Sequence, residues 1–234
     1  MEIQGFLQRS FKNAEMNHSE YVLSVNMAMT IDGKTARPDG KWYGLSSRND
    51  KIRMDKYRSE ADALLLGKNS LLNDDPAIKI RYQENADDPV PVILIRNGTI
   101  PASLRVFQSS QKPIIICADN NYSNLKNLAS LAEVVSLGTE IRPAEVIELL
   151  IRRKLNKILL EGGPTLNSAF FSEDLVNRIY ITIVPFIIGM SSLPSIINQS
   201  SPLPHFDLKK WELESSEIIE NEVFLKYRRI CEEN

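Results

Sequence analysis

The chain has 234 residues, 43% hydrophobic and 25% charged, with 28 lysines and arginines against 30 aspartates and glutamates. That balance excludes a disordered chain, and a net charge of −2 without any block of like charges argues against nucleic-acid and anionic-membrane partners. The first twenty residues lack the apolar core of a secretory signal and no later run approaches the ~20 apolar residues that span a bilayer, so a cytoplasmic protein is expected.

In chain order, residues 1–19 read as a leader or docking arm and 20–234 as one domain, because the polar stretch YQENADDPVP is too short to divide it. YVLSVNMAM predicts a strand and SRNDKIRMDKYRSEA a helix. DALLLG, VPVILI and PIIICA predict further strands, apolar nearly throughout, as burial between two helical layers requires. Residues 144–155 place Val146, Ile147, Leu150 and Ile151 at helical spacing and end in Arg152, Arg153 and Lys154, a cationic last turn that suits the helix dipole. KILLEGG and NRIYITIVP are the next strands, the latter suited either to a central position or to an interface. WELESSEII and EVFLKYRRI flank Glu220-Asn221 and predict an antiparallel hairpin. Together these segments predict an α/β fold, a three-layer αβα sandwich around a mixed, mostly parallel sheet.

Cys117 and Cys231 have no CxxC spacing and read as plain thiols. His18 and His205 are isolated from each other, so no metal site is expected.

Three clusters sit where strands end, the edge at which open α/β sheets bind ligands. VNMAMTIDGKTA, residues 25–36, runs from an apolar strand into Asp32-Gly33. GKNSLLNDDPAIKIR, residues 67–81, offers Ser70, Asp74, Asp75 and Arg81, with one aspartate expected to hold the turn and the other to face a ligand. EGGPTLN, residues 161–167, puts a carboxylate, two glycines and a helix-starting proline in sequence, which frees backbone N–H groups at a positive helix end for a diphosphate. Each alone is also an ordinary turn signal.

AMTIDGKTA, GKNSLLNDDPAIKIR and LLEGGPTLNSAF, followed by LVNRIYITIVPFIIG, together resemble the reductase of riboflavin biosynthesis from about residue 21 onward. The resemblance implies a dihydrofolate-reductase-like fold, NADPH as cofactor, a homodimer, and reduction of a phosphorylated ribosylaminopyrimidinone to its ribitylamino form. Carried over by position, Ala28, Ser70 and Asp74 line the cofactor, and Gly163, Pro164, Thr165, Leu166, Asn167, Ser168 and Ala169 hold its diphosphate. Trp42, Arg58, Ile78, Arg81 and Glu161 fall where the family contacts substrate, with Arg58 and Arg81 assigned to the ribose phosphate, a task that guanidinium groups suit. Glu161 and Asn26 are the catalytic candidates, and a plain capping carboxylate is the other reading of Glu161. Arg96 takes a position that touches the cofactor in the family. There it either pairs with the 2′-phosphate of NADPH or is a solvated arginine ending a strand.

The chain departs from the family at Asn177-Arg178, where Asp-Glu is usual, at Asn26, where bacterial forms carry Lys, and at Gly44, where they carry an aromatic. The alternative readings are a reductase acting on another small heterocycle, or a nucleotide-binding protein that has lost the reaction.

Overall fold

The computed structural model describes residues 18–40, 45–204, 206–208 and 210–230. Nine strands form one sheet: β1 (Val22–Thr30), β2 (Ala63–Gly67), β3 (Val90–Ile95), β4 (Ile114–Cys117), β5 (Glu133–Ser136), β6 (Lys157–Leu160), β7 (Arg178–Val184), β8 (Trp211–Ile219) and β9 (Glu222–Arg229). Their order is β5-β4-β3-β2-β6-β1-β7-β9-β8. All pairings from β5 to β7 are parallel, and the β8–β9 hairpin joins β7 antiparallel, giving the mixed, mostly parallel sheet read from the sequence. The helices are α1 (Arg48–Ser59), α2 (Lys68–Asp74), α3 (Asp119–Tyr122), α4 (Pro143–Arg152) and α5 (Pro164–Ser172).

The apolar strands serve two cores because successive side chains point to opposite faces. Leu65, Ile116, Ile158 and Leu160 pack with Val146 and Ile147 of α4 and Phe170 of α5. Leu64, Leu66, Ile115 and Leu159 pack on the other face with Leu71 of α2, against which Tyr57 of α1 also lies. Each fully buried aliphatic side chain contributes about 1.5–3 kcal/mol, so both layers are firmly held to the sheet.

Several expectations are refined. The helix expected over 144–155 ends at Arg152: Lys154 takes φ 62°, and Arg153 turns aside to form a two-pronged pair with Glu133 on β5. The hairpin turns at Glu220, which adopts φ 55°. NRIYITIVP supplies β7, an interior strand between β1 and β9, while Phe186 and Ile187 just beyond it are 43% and 72% exposed. Asn177, at a departure from the family pattern, accepts the Leu23 N–H on Oδ1 at 2.7 Å and so fastens the start of β1.

No helix among the described residues is long and apolar enough to cross a membrane, and no group of three or more potential metal ligands occurs among them. His205 and Cys231 lie outside the described residues.

Candidate active site

Since β1, β2, β3, β6 and β7 run parallel, their C-terminal ends share one edge. That edge gathers Asp32 after β1, Gly67 closing β2, Arg96 after β3 and Glu161 after β6. The three sequence clusters therefore meet, and they do so on both sides of the β2–β6–β1 centre of the sheet.

One side is built from glycines and helix starts. Gly163 is the N-cap of α5 and has no side-chain cap; Pro164 brings no N–H and the Leu166 N–H donates to Gly163 O at 2.9 Å, so the Thr165 N–H is the opening donor without a partner within the helix. A Cβ on Gly163 would stand 3.2 Å from Ser70 Oγ of α2, which shows how closely the two helix starts approach. On Gly162 it would stand 2.5 Å from Leu166 Cδ2 and 3.1 Å from its Cβ and Cγ, so a side chain there would have to displace Leu166. Thr165 is exposed, whereas Asn167 and Ser168 are buried. Asn167 Nδ2 donates to Ile196 O at 2.9 Å, and Ser168 Oγ donates to Asn198 O at 3.0 Å. These contacts hold the 196–198 segment against α5, while the buried Asn167 Oδ1 has no hydrogen-bond partner among the described residues.

Beside it, Arg96 is exposed at the end of β3. Sequence reasoning missed the two residues that shape its turn. Lys68 Nζ donates to Asn97 O at 2.7 Å, and buried Asn121 clips the turn by accepting the Gly98 N–H and donating to Gly98 O, both at 2.9 Å. Of the two aspartates, Asp75 is structural: it takes φ 39°, and its carboxylate accepts the Arg105 N–H at 2.8 Å rather than closing an Asx turn of its own. Asp74 is exposed at the end of α2.

The other side is governed by α1. Arg58 donates through Nε to Glu161 Oε1 at 3.0 Å and through Nη2 to Oε2 at 2.6 Å, while Nη1 donates to Ala77 O at 3.1 Å. Arg58 is only 2% exposed. Burial opposes its charge most strongly, but the carboxylates of Glu161, Asp55 and Asp88 together outweigh it and the guanidinium pKa is raised. A guanidinium so committed is not free to grip a phosphate, and the role expected of Arg58 changes to that of holding Glu161. The capping reading of Glu161 fails on the same contacts, since its carboxylate turns to Arg58 and not to the start of α5.

Arg81 differs. Its side chain is 43% exposed, and Asp55 of α1, with no exposure, accepts the Arg81 N–H at 2.7 Å and the Tyr82 N–H at 3.2 Å. Ile78, 1% exposed, buries its side chain in the second core and anchors this segment instead of offering it to a ligand. Asn26 follows Val25, which pairs with Leu160, so it stands at the level of Glu161 and on the same face of the sheet. Ala28 pairs with Thr182 of β7. Asp50, in the first turn of α1, hydrogen-bonds Thr182 and Ser46; burial pushes its carboxyl up, and the charges of Glu222 and Glu161 push the same way. Trp42 and Gly44 lie outside the described residues.

Asp32 ties this edge together. It accepts from Thr30 Oγ1 at 2.5 Å and from the Gly189 N–H at 2.7 Å, and these bonds hold its carboxyl at about 2. Gly33 follows at φ 77°, which the turn requires.

A family model described as the RibD C-terminal domain matches residues 21–225. The chain belongs to that family. A relative from Methanothermobacter thermautotrophicus, the 2,5-diamino-6-ribosylamino-4(3H)-pyrimidinone 5′-phosphate reductase, is 28% identical over 211 residues, which cover 88% of this chain and 97% of that protein. The riboflavin biosynthesis protein RibD of Chlamydia pneumoniae is 26% identical over 208 residues, 83% of this chain but 53% of its own length, so the chain spans about half of that relative. Among solved structures, a pyrimidine reductase-like protein from Corynebacterium diphtheriae superposes with a TM-score of 0.78 at 20% identity, over 93% of this chain and 96% of that one. Acinetobacter baumannii RibD gives 0.77 at 19% identity, over 91% and 59%. These likenesses place the fold within the family.

Proposed function

We propose that the chain is an NADPH-dependent reductase of riboflavin biosynthesis, which reduces the ribose of a 5-phosphoribosylamino-pyrimidinone to the ribitylamino form. The observation that carries this reading is the position of Glu161. It follows β6, is oriented by Arg58, and immediately precedes the glycine cradle, so the residue proposed to contact substrate adjoins the turn that suits a dinucleotide.

The fit for NADPH rests on the cradle that a Cβ would fill at Gly163, on the Thr165 N–H at the positive start of α5, and on the cationic turn of Arg96 and Lys68. Gly163, Pro164, Thr165 and Leu166 would hold the diphosphate, with Ala28, Ser70 and Asp74 alongside and Arg96 toward the 2′-phosphate. When bound, NADPH supplies the hydride. The protein's part is orientation: Arg81 takes the substrate phosphate, Glu161 and Asn26 hydrogen-bond the sugar and ring, and Arg58 keeps the Glu161 carboxylate aimed.

A homodimer accords with the exposed Phe186 and Ile187 beyond β7, and sedimentation showing only a 26.5 kDa species at micromolar concentration would count against it. The cytoplasm, with its reduced dinucleotide pool, is the compartment proposed for it. A reductase of another heterocycle and a non-catalytic dinucleotide-binding protein are the rival readings. Steady-state assay of NADPH oxidation with the phosphorylated pyrimidinone separates them: turnover supports the proposal, and cofactor binding without turnover of this substrate contradicts it.

A further inference from the structure

Helix α1 presents Asp55 and Arg58 one turn apart, on the same face. Arg58 reaches Glu161 with two donors and Ala77 O with the third. Asp55 accepts the backbone N–H groups of Arg81 and Tyr82. The segment from 77 to 82 is thus held at both ends by one helix, and charges alternate along the chain Glu161, Arg58, Asp55, Arg81. Of these four, Arg58 and Asp55 are buried and Arg81 is the most exposed, with 43% of its side chain accessible.

The contacts from Asp55 to this exposed guanidinium are long. Arg81 Nε and Nη2 lie 3.4 and 3.3 Å from the Asp55 carboxylate, against 2.7 Å for the Arg81 N–H. The usual N–H to O distance is about 2.9–3.0 Å, so the backbone of Arg81 is clamped while its head group is held loosely. A phosphate dianion on the outer donors of Arg81 would order that head group between two anions. The ordered segment then bears on Arg58 through Ala77 O, and on Glu161 through Arg58.

We infer that Asp55 is a positioning residue which couples the phosphate-binding Arg81 to the Arg58–Glu161 pair, so that the substrate's phosphate raises turnover as well as affinity. The inference rests on the reductase reading. Physically, binding energy gained at a remote, unreacting group is used to orient the groups at the reacting carbon, and its loss then appears in kcat and not in KM alone.

The first arm of the test uses wild-type protein with the substrate's dephosphorylated nucleoside and sodium phosphite as a detached phosphate mimic. At saturating nucleoside, phosphite is expected to raise kcat at least about fivefold, the kind of gain that remote orientation supplies. In the second arm, Asp55→Asn is expected to lower the ratio of kcat/KM for phosphorylated over nucleoside substrate about tenfold, with Asp55→Glu recovering part of it. A merely structural Asp55 would reduce both substrates in proportion and leave that ratio unchanged. Turnover without stimulation by phosphite, or an unchanged ratio in folded Asp55→Asn, overturns the coupling. If Asp55→Asn does not fold, the phosphite arm decides alone. If wild-type protein fails to oxidise NADPH even with the phosphorylated substrate, the reductase reading fails and this inference with it.

Discussion

Arg58 of α1 and Glu161 at the end of β6 meet as a two-pronged ion pair, 3.0 and 2.6 Å, with both side chains largely buried. Removing one partner of a buried pair leaves an uncompensated charge, which is destabilising by about 3–5 kcal/mol. Arg58→Ala is therefore expected to lower unfolding stability by about that amount. Arg58→Lys should fall between, because an ammonium lacks the planar fork. Denaturant titrations of the three proteins check this, and a loss under about 1 kcal/mol for Arg58→Ala would show that the pair is not a structural brace.

The neighbouring glycines of the α5 turn should respond differently. Gly163→Val is expected to leave the fold largely intact, since its Cβ would meet only the hydroxyl of Ser70, and to weaken NADPH binding about tenfold or more by obstructing the helix start. Gly162→Ala forces a Cβ against Leu166 and should cost about 1–3 kcal/mol of stability, the usual penalty of overpacking. Calorimetric titration with NADPH and thermal melts separate the two effects. Unchanged affinity in folded Gly163→Val counts against the cradle.

The convergence of three turns was legible in the sequence because parallel strands must end on the same edge, so strand exits alone point to it. The partner of Arg58 was not legible: its pairing with Glu161 depends on α1 lying across β6, and an arginine in a charged helix looks like a solvated one. Asp55 was hidden in the same way, since an aspartate three residues before an arginine on a charged helix reads as an ordinary surface pair. The bonds from Asn167 and Ser168 to the 196–198 segment were not legible either, because that segment lies about thirty residues away in the chain and follows no periodic pattern. Strand β5 passed unnoticed because four residues at a sheet edge, none of them fully buried, leave little pattern.

Under the proposed function, Arg96 is expected to govern the choice of nicotinamide cofactor. A charge-assisted bond to the 2′-phosphate is available to NADPH and absent for NADH. Arg96→Ala is expected to reduce the preference for NADPH by about 1.5–3 kcal/mol, read as the ratio of kcat/KM values for the two cofactors. An equal loss with both cofactors would show that Arg96 does not read that phosphate.

Asp32 should give the edge an acid-sensitive tether. Its carboxyl is depressed from 3.8 to about 2, first by the Thr30 hydroxyl and then by the Gly189 N–H. A depressed folded-state pKa means that the stabilisation is fully present above about pH 4 and is lost as pH falls toward 2. Asp32→Asn is thus expected to melt below wild type at pH 7, with the difference disappearing as both are taken down to about pH 2. A gap that persists unchanged across that range would assign the effect of the substitution to something other than the carboxylate's charge.

The central claim is that a dinucleotide cradle and a phosphate-gripping substrate site meet at Glu161. Its most direct test is the rate at which purified protein oxidises NADPH, followed by nicotinamide absorbance, with and without the phosphoribosylamino-pyrimidinone, for wild type, Glu161→Gln and Arg81→Ala. The account predicts substrate-dependent oxidation by wild type, a fall in kcat of about a hundredfold or more for Glu161→Gln, and a rise in substrate KM together with a lower kcat, with NADPH affinity retained, for Arg81→Ala. Wild-type oxidation that ignores the pyrimidinone, or undiminished turnover by Glu161→Gln, would contradict it.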